Sequence, residues 1–198
     1  MSPINKPNSV ESPKSVHRFK ADIAIIRKPI LALLLSWTMI SCPNSAVSES
    51  GRQRVFVEWV YDGDTIRAVA DTREKIKVRI IGIDCPESTH NDKCERDERF
   101  GKKGCDWQVP RGKKAKRRAI ELLAKKNAIL ECDGKCRSDS YDRALRYVRL
   151  PDGSDFGLLM VREGLCEEVS RAFPHSRGAQ YRKEQRYARE KKRGIWKD

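Results

Sequence analysis

From Arg54 onward, apolar and polar residues alternate with the period of half-buried strands. Val55, Val57 and the run Trp59 to Tyr61 form a first strand, Asp62-Gly63 a turn, and Thr65 to Val69 a second strand. An Asp-Gly pair between two such runs is a strong short-range hairpin signal. In the third run, Ile76 to Ile83, the residues Ile76, Val78 and Ile80 alternate with Lys75, Lys77 and Arg79, so one face is apolar and the other cationic. Residues 88–111 are rich in charge, carry two cysteines and show little periodicity, which reads as a loop. Gly112 then introduces a helix over 113–126, with Ala115, Ala119, Leu122 and Leu123 as its apolar stripe and a basic opposite face.

Ala128 to Cys132 reads as a fourth strand and Ala144 to Leu150 as a fifth, stopped by Pro151-Asp152-Gly153. Asp155 is placed to cap a short helix through Phe156, Leu159, Met160 and Val161 that ends at Gly164. A last helix spans 179–192, before Gly194-Ile195-Trp196. Strands first, with helices inserted after the third and at the end, suggest a small closed sheet with helices outside. The five-stranded Greek-key barrel of the OB type fits that order. No internal repeat or second domain is visible.

The N-terminal part follows different rules. Arg27-Lys28 precede an apolar run, Pro29 to Ile40, that is short for a bilayer span and placed where a signal-peptide core belongs. An uncleaved anchor or a buried helix is the competing reading. Met39-Ile40-Ser41-Cys42 also resembles a bacterial lipoprotein cleavage box, in which Cys42 would carry the lipid. The expected organisation is a leader over 1–42, a small polar linker over 43–53 and one domain over 54–198. Export to a periplasmic or extracellular site is expected, with membrane attachment only through a lipid anchor at Cys42.

Charge narrows the partners. Of 42 Lys and Arg and 28 Asp and Glu, residues beyond 42 hold 36 and 26. A surplus of that size on one domain argues for a polyanion. DNA, RNA, heparin-like polymers and anionic membrane all satisfy it. Apart from Cys42, six cysteines remain, an even number that suits disulfides in an exported domain. Cys94 with Cys105 is the favoured pair. Cys132 and Cys136 could close a second loop, leaving Cys85 and Cys166 to pair or stay free. Zinc at the Cys132/Cys136 spacing is the alternative. His17, His90 and His175 show no metal-ligand spacing.

Asp62, Asp64, Asp84 and Glu87 fall close together in strand-rich chain with Arg79 among them, the inventory for cutting a phosphodiester with a hard cation. Asp64 and Asp84 can meet if their strands pair, and would hold Ca2+ or Mg2+. Glu87, turned by Pro86, would act as general base on water, and Arg79 would grip the phosphate, with a second arginine approaching from elsewhere. Taken singly, each of these has a plainer reading as a turn, an exposed strand charge or a loop acid. Their joint occurrence favours the nuclease.

These residues and others resemble the staphylococcal nuclease, or thermonuclease, family. The likeness is carried by Tyr61 to Ile66, Val78 to Glu87, Asp139 to Arg143 with Arg149 to Gly153 behind it, Val161 to Leu165, and Ala188 to Trp196. It implies a mainly β protein, a five-stranded OB-fold β-barrel with three α-helices, and a Ca2+-dependent nuclease on DNA and RNA with little sequence preference. By matched position, Asp64 and Asp84 resemble the metal ligands, and Cys85 the residue whose backbone carbonyl joins them, with Asp62 in support. Glu87 resembles the general base, and Arg79 and Arg143 the two phosphate-gripping arginines. The family breaks the 5′ P–O bond, leaving a 3′-phosphate and a 5′-hydroxyl.

Ser170 and Ala172 stand where the family has nucleotide-contacting tyrosines. Phe173 and Tyr181 are available for stacking, but core packing is the expected role of each. Asp142 replaces a glycine and could pair with Arg143. A non-catalytic OB-fold nucleic-acid-binding module is the alternative function, and a lipid-tethered polyanion-binding protein a third. No protein partner is inferred, and a monomer is expected.

Overall fold

The computed structural model describes residues 51–197. The expected leader with Cys42, His17 and linker residues 43–50 lie outside the described residues. The strands are β1 (Arg52–Val60), β2 (Thr65–Ala70), β3 (Lys75–Ile80), β4 (Ile83–Asp84), β5 (Asn127–Glu131), β6 (Arg137–Ser138), β7 (Ala144–Arg149) and β8 (Glu167–Glu168). The helices are α1 (Asp92–Arg99), α2 (Cys105–Leu123), α3 (Phe156–Arg162) and α4 (Gly178–Glu190), followed by a 3-10 turn over Gly194–Trp196.

Antiparallel pairing runs from β3 through β2, β1 and β5 to β7, and a parallel pairing of β3 with β7 closes the ring. The result is a five-stranded mixed barrel of OB type with helices outside, as the order of elements suggested. The alternation read in β3 holds: Val78 and Ile80 are buried while Lys75 and Lys77 are exposed. Val57, Ile66, Leu130 and Val148 join them inside. Ala115, Ala119 and Leu123 of α2, Phe156 and Met160 of α3, and Tyr181 of α4 extend this core under the helices.

Two expectations change. The third run does not continue to Ile83: β3 ends at Ile80, the chain turns at Gly82 (φ +84°), and Ile83–Asp84 pairs with β8 instead. The apolar run extended to Ile83 in sequence because Ile83 is itself buried, against different neighbours. A side chain at Gly82 would also meet His175 and Tyr181.

The segment over 88–111 is not a loop, so the described residues hold four α-helices rather than three. Helix α1 buries only Cys94, which leaves no apolar stripe to betray it. Asn91 caps it, its side-chain oxygen accepting from the backbone N–H groups of Lys93 and Cys94. Helix α2 begins at Cys105 and carries Pro110 and Gly112 inside it, residues that read as breakers.

All six cysteines pair, as Cys94–Cys105, Cys132–Cys136 and Cys85–Cys166. The first is the pairing favoured from sequence, and the second removes the zinc reading at that spacing. Cys85 and Cys166 are buried, and their bridge anchors the chain just after Asp84 to the segment after α3.

Candidate active site

The β1–β2 turn and the β2–β3 ladder assemble the acidic end of the site. Asp64 sits immediately before β2, and Thr65 lies opposite Arg79 in β3. Ile80 N–H donates to the Asp64 carbonyl at 2.9 Å, fixing this register beyond the ladder. The buried Asp64 carboxylate accepts from Thr65 Oγ1 at 3.0 Å and from the backbone N–H of Cys85 at 2.8 Å. Arg79 pairs with Asp64 Oδ1 through one terminal nitrogen and with Asp84 Oδ1, 2.8 Å away, through the other. Asp64 and Asp84, 20 residues apart in sequence, thus face one guanidinium.

Asp62 closes the turn, its Oδ1 accepting from Asp64 N–H at 3.2 Å. Burial pushes the Asp62 carboxyl above its ordinary pKa against the pull of Arg79. Burial also works to raise Asp84, but the charges of Lys93 and Arg79 outweigh it and hold that carboxyl below its ordinary value.

Glu87 is held from several directions. Its Oε1 lies 2.7 Å from Lys93 Nζ, and its Oε2 accepts from Asn91 Nδ2 at 2.7 Å. Its backbone N–H donates to Gln108 Oε1 of α2 at 3.2 Å. Gly112, one turn further along α2, lies so close that a Cβ there would strike the carbonyl oxygens of Glu87 and Pro86. Lys93 also reaches Asp84 Oδ1 at 3.3 Å. Burial works to lower the Lys93 pKa, but Asp84 and Glu87 overcome it and raise it.

Sequence reasoning missed Lys93, Asn91 and Gln108 because it read their segment as loop, and it read Gly112 only as the start of a helix. The signal was Asn91 followed by Asp92 and Glu95, a helix start with acids in its first turn.

Arg143 enters from the turn before β7. Its partner is Asp139, not Asp142: Asp139 Oδ2 accepts from Arg143 Nε at 2.7 Å. Asp142 is exposed and takes the left-handed backbone at φ +57°, a conformation that Asp tolerates better than most residues. Arg79, Asp84, Lys93 and Arg143 line one cleft of about 690 Å³. Phe173 is 71% exposed and lines the same cleft, so it is not the core residue expected. Tyr181 is fully buried and donates to Asp155 Oδ1 at 2.7 Å, as a core tyrosine should. Tyr141, 78% exposed, stands on the cleft with the Arg143 guanidinium 5.3 Å from its ring centre.

The donor set fits a hard divalent cation. Asp64 and Asp84 each present a carboxylate oxygen to the same cationic group, the Arg79 guanidinium, and no thiol competes, since Cys85 is bonded to Cys166. The His90, Cys94 and Cys105 side chains also lie close together, but a disulfide occupies both sulfurs.

The chain is similar in sequence to known endonucleases. An endonuclease of Bacillus subtilis, YhcR, is 32% identical over 120 residues, 59% of this chain; the matched stretch is 9% of that much longer protein. An uncharacterized endonuclease of Escherichia coli O157:H7 is 28% identical over 86% of this chain and 88% of its own length. One of Haemophilus influenzae is 29% identical over 88% and 81%. Residues 77–198 match the family described as staphylococcal nuclease homologue, from the middle of β3 to the C-terminus and through every residue lining the cleft, so the chain belongs to the staphylococcal nuclease family.

Proposed function

We propose that the protein is a metal-dependent nuclease that hydrolyses phosphodiester bonds of DNA and RNA. The observation that carries the reading is Arg79 bridging Asp64 and Asp84 beside an immobilised Glu87. Family membership and the endonucleases among its relatives support it.

In this reading Asp64, Asp84 and the Cys85 carbonyl would hold Ca2+, or Mg2+ in its place. The ion would neutralise phosphate charge and act as Lewis acid at the reacting group. Glu87 takes the proton of the attacking water on a carboxylate oxygen as the water oxygen bonds to phosphorus. Arg79 and Arg143 donate N–H bonds to phosphate oxygens whose charge rises toward the transition state. Asp139 positions Arg143 by taking its Nε and one terminal nitrogen, which leaves the other terminal nitrogen for a substrate. The bond to the 5′ oxygen breaks, and the products carry a 3′-phosphate and a 5′-hydroxyl.

Export to an oxidising compartment belongs to the same reading, supported by three disulfides in one small domain. The test is digestion of single-stranded DNA, duplex DNA and RNA with Ca2+, Mg2+ or chelator, beside Glu87→Ser. Ca2+-dependent cleavage lost on that substitution is expected. Metal-independent cleavage, or full activity of Glu87→Ser, would overturn the mechanism.

A further inference from the structure

A second groove adjoins the catalytic cleft, and the two share Val169 and Ala172 in their walls. One side of it is α4, where Arg182, Arg186 and Arg189 fall at i, i+4 and i+7 and so lie on one face. Arg171 faces them from the turn after β8. Arg171, Arg186 and Arg189 are exposed, and none of them has a carboxylate partner among the described residues. Arg189 lies over the Trp196 ring at 4.1 Å, and Arg182 donates to Ser170 Oγ.

Two acids reach this groove, and they do not cancel it. Glu168 is committed internally, its Oε2 accepting from Ser170 N–H at 2.9 Å and Ser170 Oγ at 2.6 Å. Glu167 stands opposite Asp84 in the β4–β8 pair, at the cleft end. Four guanidinium groups therefore dominate a groove that meets the cleft at Val169 and Ala172.

We propose that this groove is an exosite that grips the phosphates of a nucleic-acid strand beyond the point of cleavage. The proposal rests on the nuclease reading for its direction: a strand held at Arg79 and Arg143 and continuing past Ala172 runs into it. The occupant is argued from charge and from continuity with the cleft. From Arg182 to Arg189 α4 extends ~10 Å, long enough to meet more than one phosphate of a strand. Exposed guanidinium groups without internal partners suit phosphates, which accept bidentate bonds and release counterions on contact.

The test uses the full chain carrying Glu87→Ser, so that binding is read without turnover, with and without Arg171→Gln and Arg186→Gln. Fluorescence anisotropy with a single strand of about 20 nucleotides, across a salt series, should show the double variant binding at least tenfold more weakly. Its log–log salt slope should be shallower by about 1.4, two contacts at ~0.7 each for a single strand. With Glu87 intact, the same double variant should lose kcat/KM on the long strand and keep it on a trinucleotide confined to the cleft. Equal affinity and slope would overturn the exosite, as would a loss confined to anionic phospholipid vesicles. If the parent cleaves nothing while the arginine variant still loses binding, the hydrolase reading falls and the groove stands.

Discussion

Lys93 and Glu87 are joined by a 2.7 Å ion pair across a helix start that the sequence pattern did not reveal. Lys93 belongs to α1 and Glu87 to the segment after β4, so the pair docks the stapled helix onto the proposed base. A charged hydrogen bond of this kind contributes about 1.5–3 kcal/mol, which corresponds to roughly ten- to hundredfold in rate if it is needed at the transition state. Lys93→Met should lower kcat by that amount with little change in KM, and Lys93→Arg should restore part of it. The same substitution removes a cation from beside Asp84, so Ca2+ binding measured by calorimetry should strengthen. Unchanged kcat would mean that Asn91 alone suffices to hold the carboxylate.

Gly112 carries an opposite expectation from helix propensity. In an ordinary helix interior, Gly→Ala stabilises by about 1 kcal/mol. Here the added Cβ meets the backbone oxygens of Glu87 and Pro86, groups that cannot swing aside as a side-chain tip would. Gly112→Ala should therefore lower both the melting temperature and the cleavage rate. A rise in melting temperature would show that α2 and the Glu87 segment separate without cost.

Glu131 makes stability depend on acid. Its buried carboxylate on β5 pairs with Arg52 at 2.9 Å, Arg149 at 3.0 Å and Arg177. Burial works to raise its pKa, but hydrogen bonds from Arg177 and Arg149 outweigh that and hold it below the ordinary carboxylate value. A group depressed on folding adds stability in full above its unfolded value, about 4.3 for Glu. That contribution is lost as pH falls through the lower folded value. Glu131→Gln should cost on the order of 3 kcal/mol at pH 7, because Arg52 and Arg149 lose their counter-charge and Arg177 keeps only Asp155. The difference from the parent should narrow below about pH 4, as read by denaturant unfolding at both pH values. A constant difference would show that the carboxylate's charge is not what stabilises.

Much of this was legible in the chain. The period-two alternation in β1 to β3 and the Asp62-Gly63 turn show the barrel's first half, because those strands each bury one face. The carboxylates and Arg79 were legible because their residue types and spacing resemble those of the staphylococcal nuclease family. Helix α1 was not, since a cap and one buried cysteine hold it rather than an apolar stripe. The partner of Arg143 was misplaced because sequence adjacency favours Asp142, whereas the turn's backbone sends Asp142 outward and brings Asp139 back. Phe173 was assigned inward on its residue type alone, yet the turn that carries it lies on the cleft rim.

The three disulfides should separate stability from activity. In the chain-entropy account, the stabilisation grows with the loop closed. Cys85–Cys166, 81 residues apart, contributes on the order of 4 kcal/mol, and Cys94–Cys105, 11 apart, about 3 kcal/mol. Cys132–Cys136, four apart, contributes least. Replacing each pair by alanine should lower the melting temperature in that order. Activity should follow a different order, because Cys94–Cys105 ties down the helix whose Asn91 and Lys93 hold Glu87. Measured well below every melting temperature, the Cys94→Ala/Cys105→Ala protein should lose several-fold in kcat while the Cys132→Ala/Cys136→Ala protein keeps its rate. Equal rates for those two would show that the cap and the ion pair hold α1 against Glu87 without the staple.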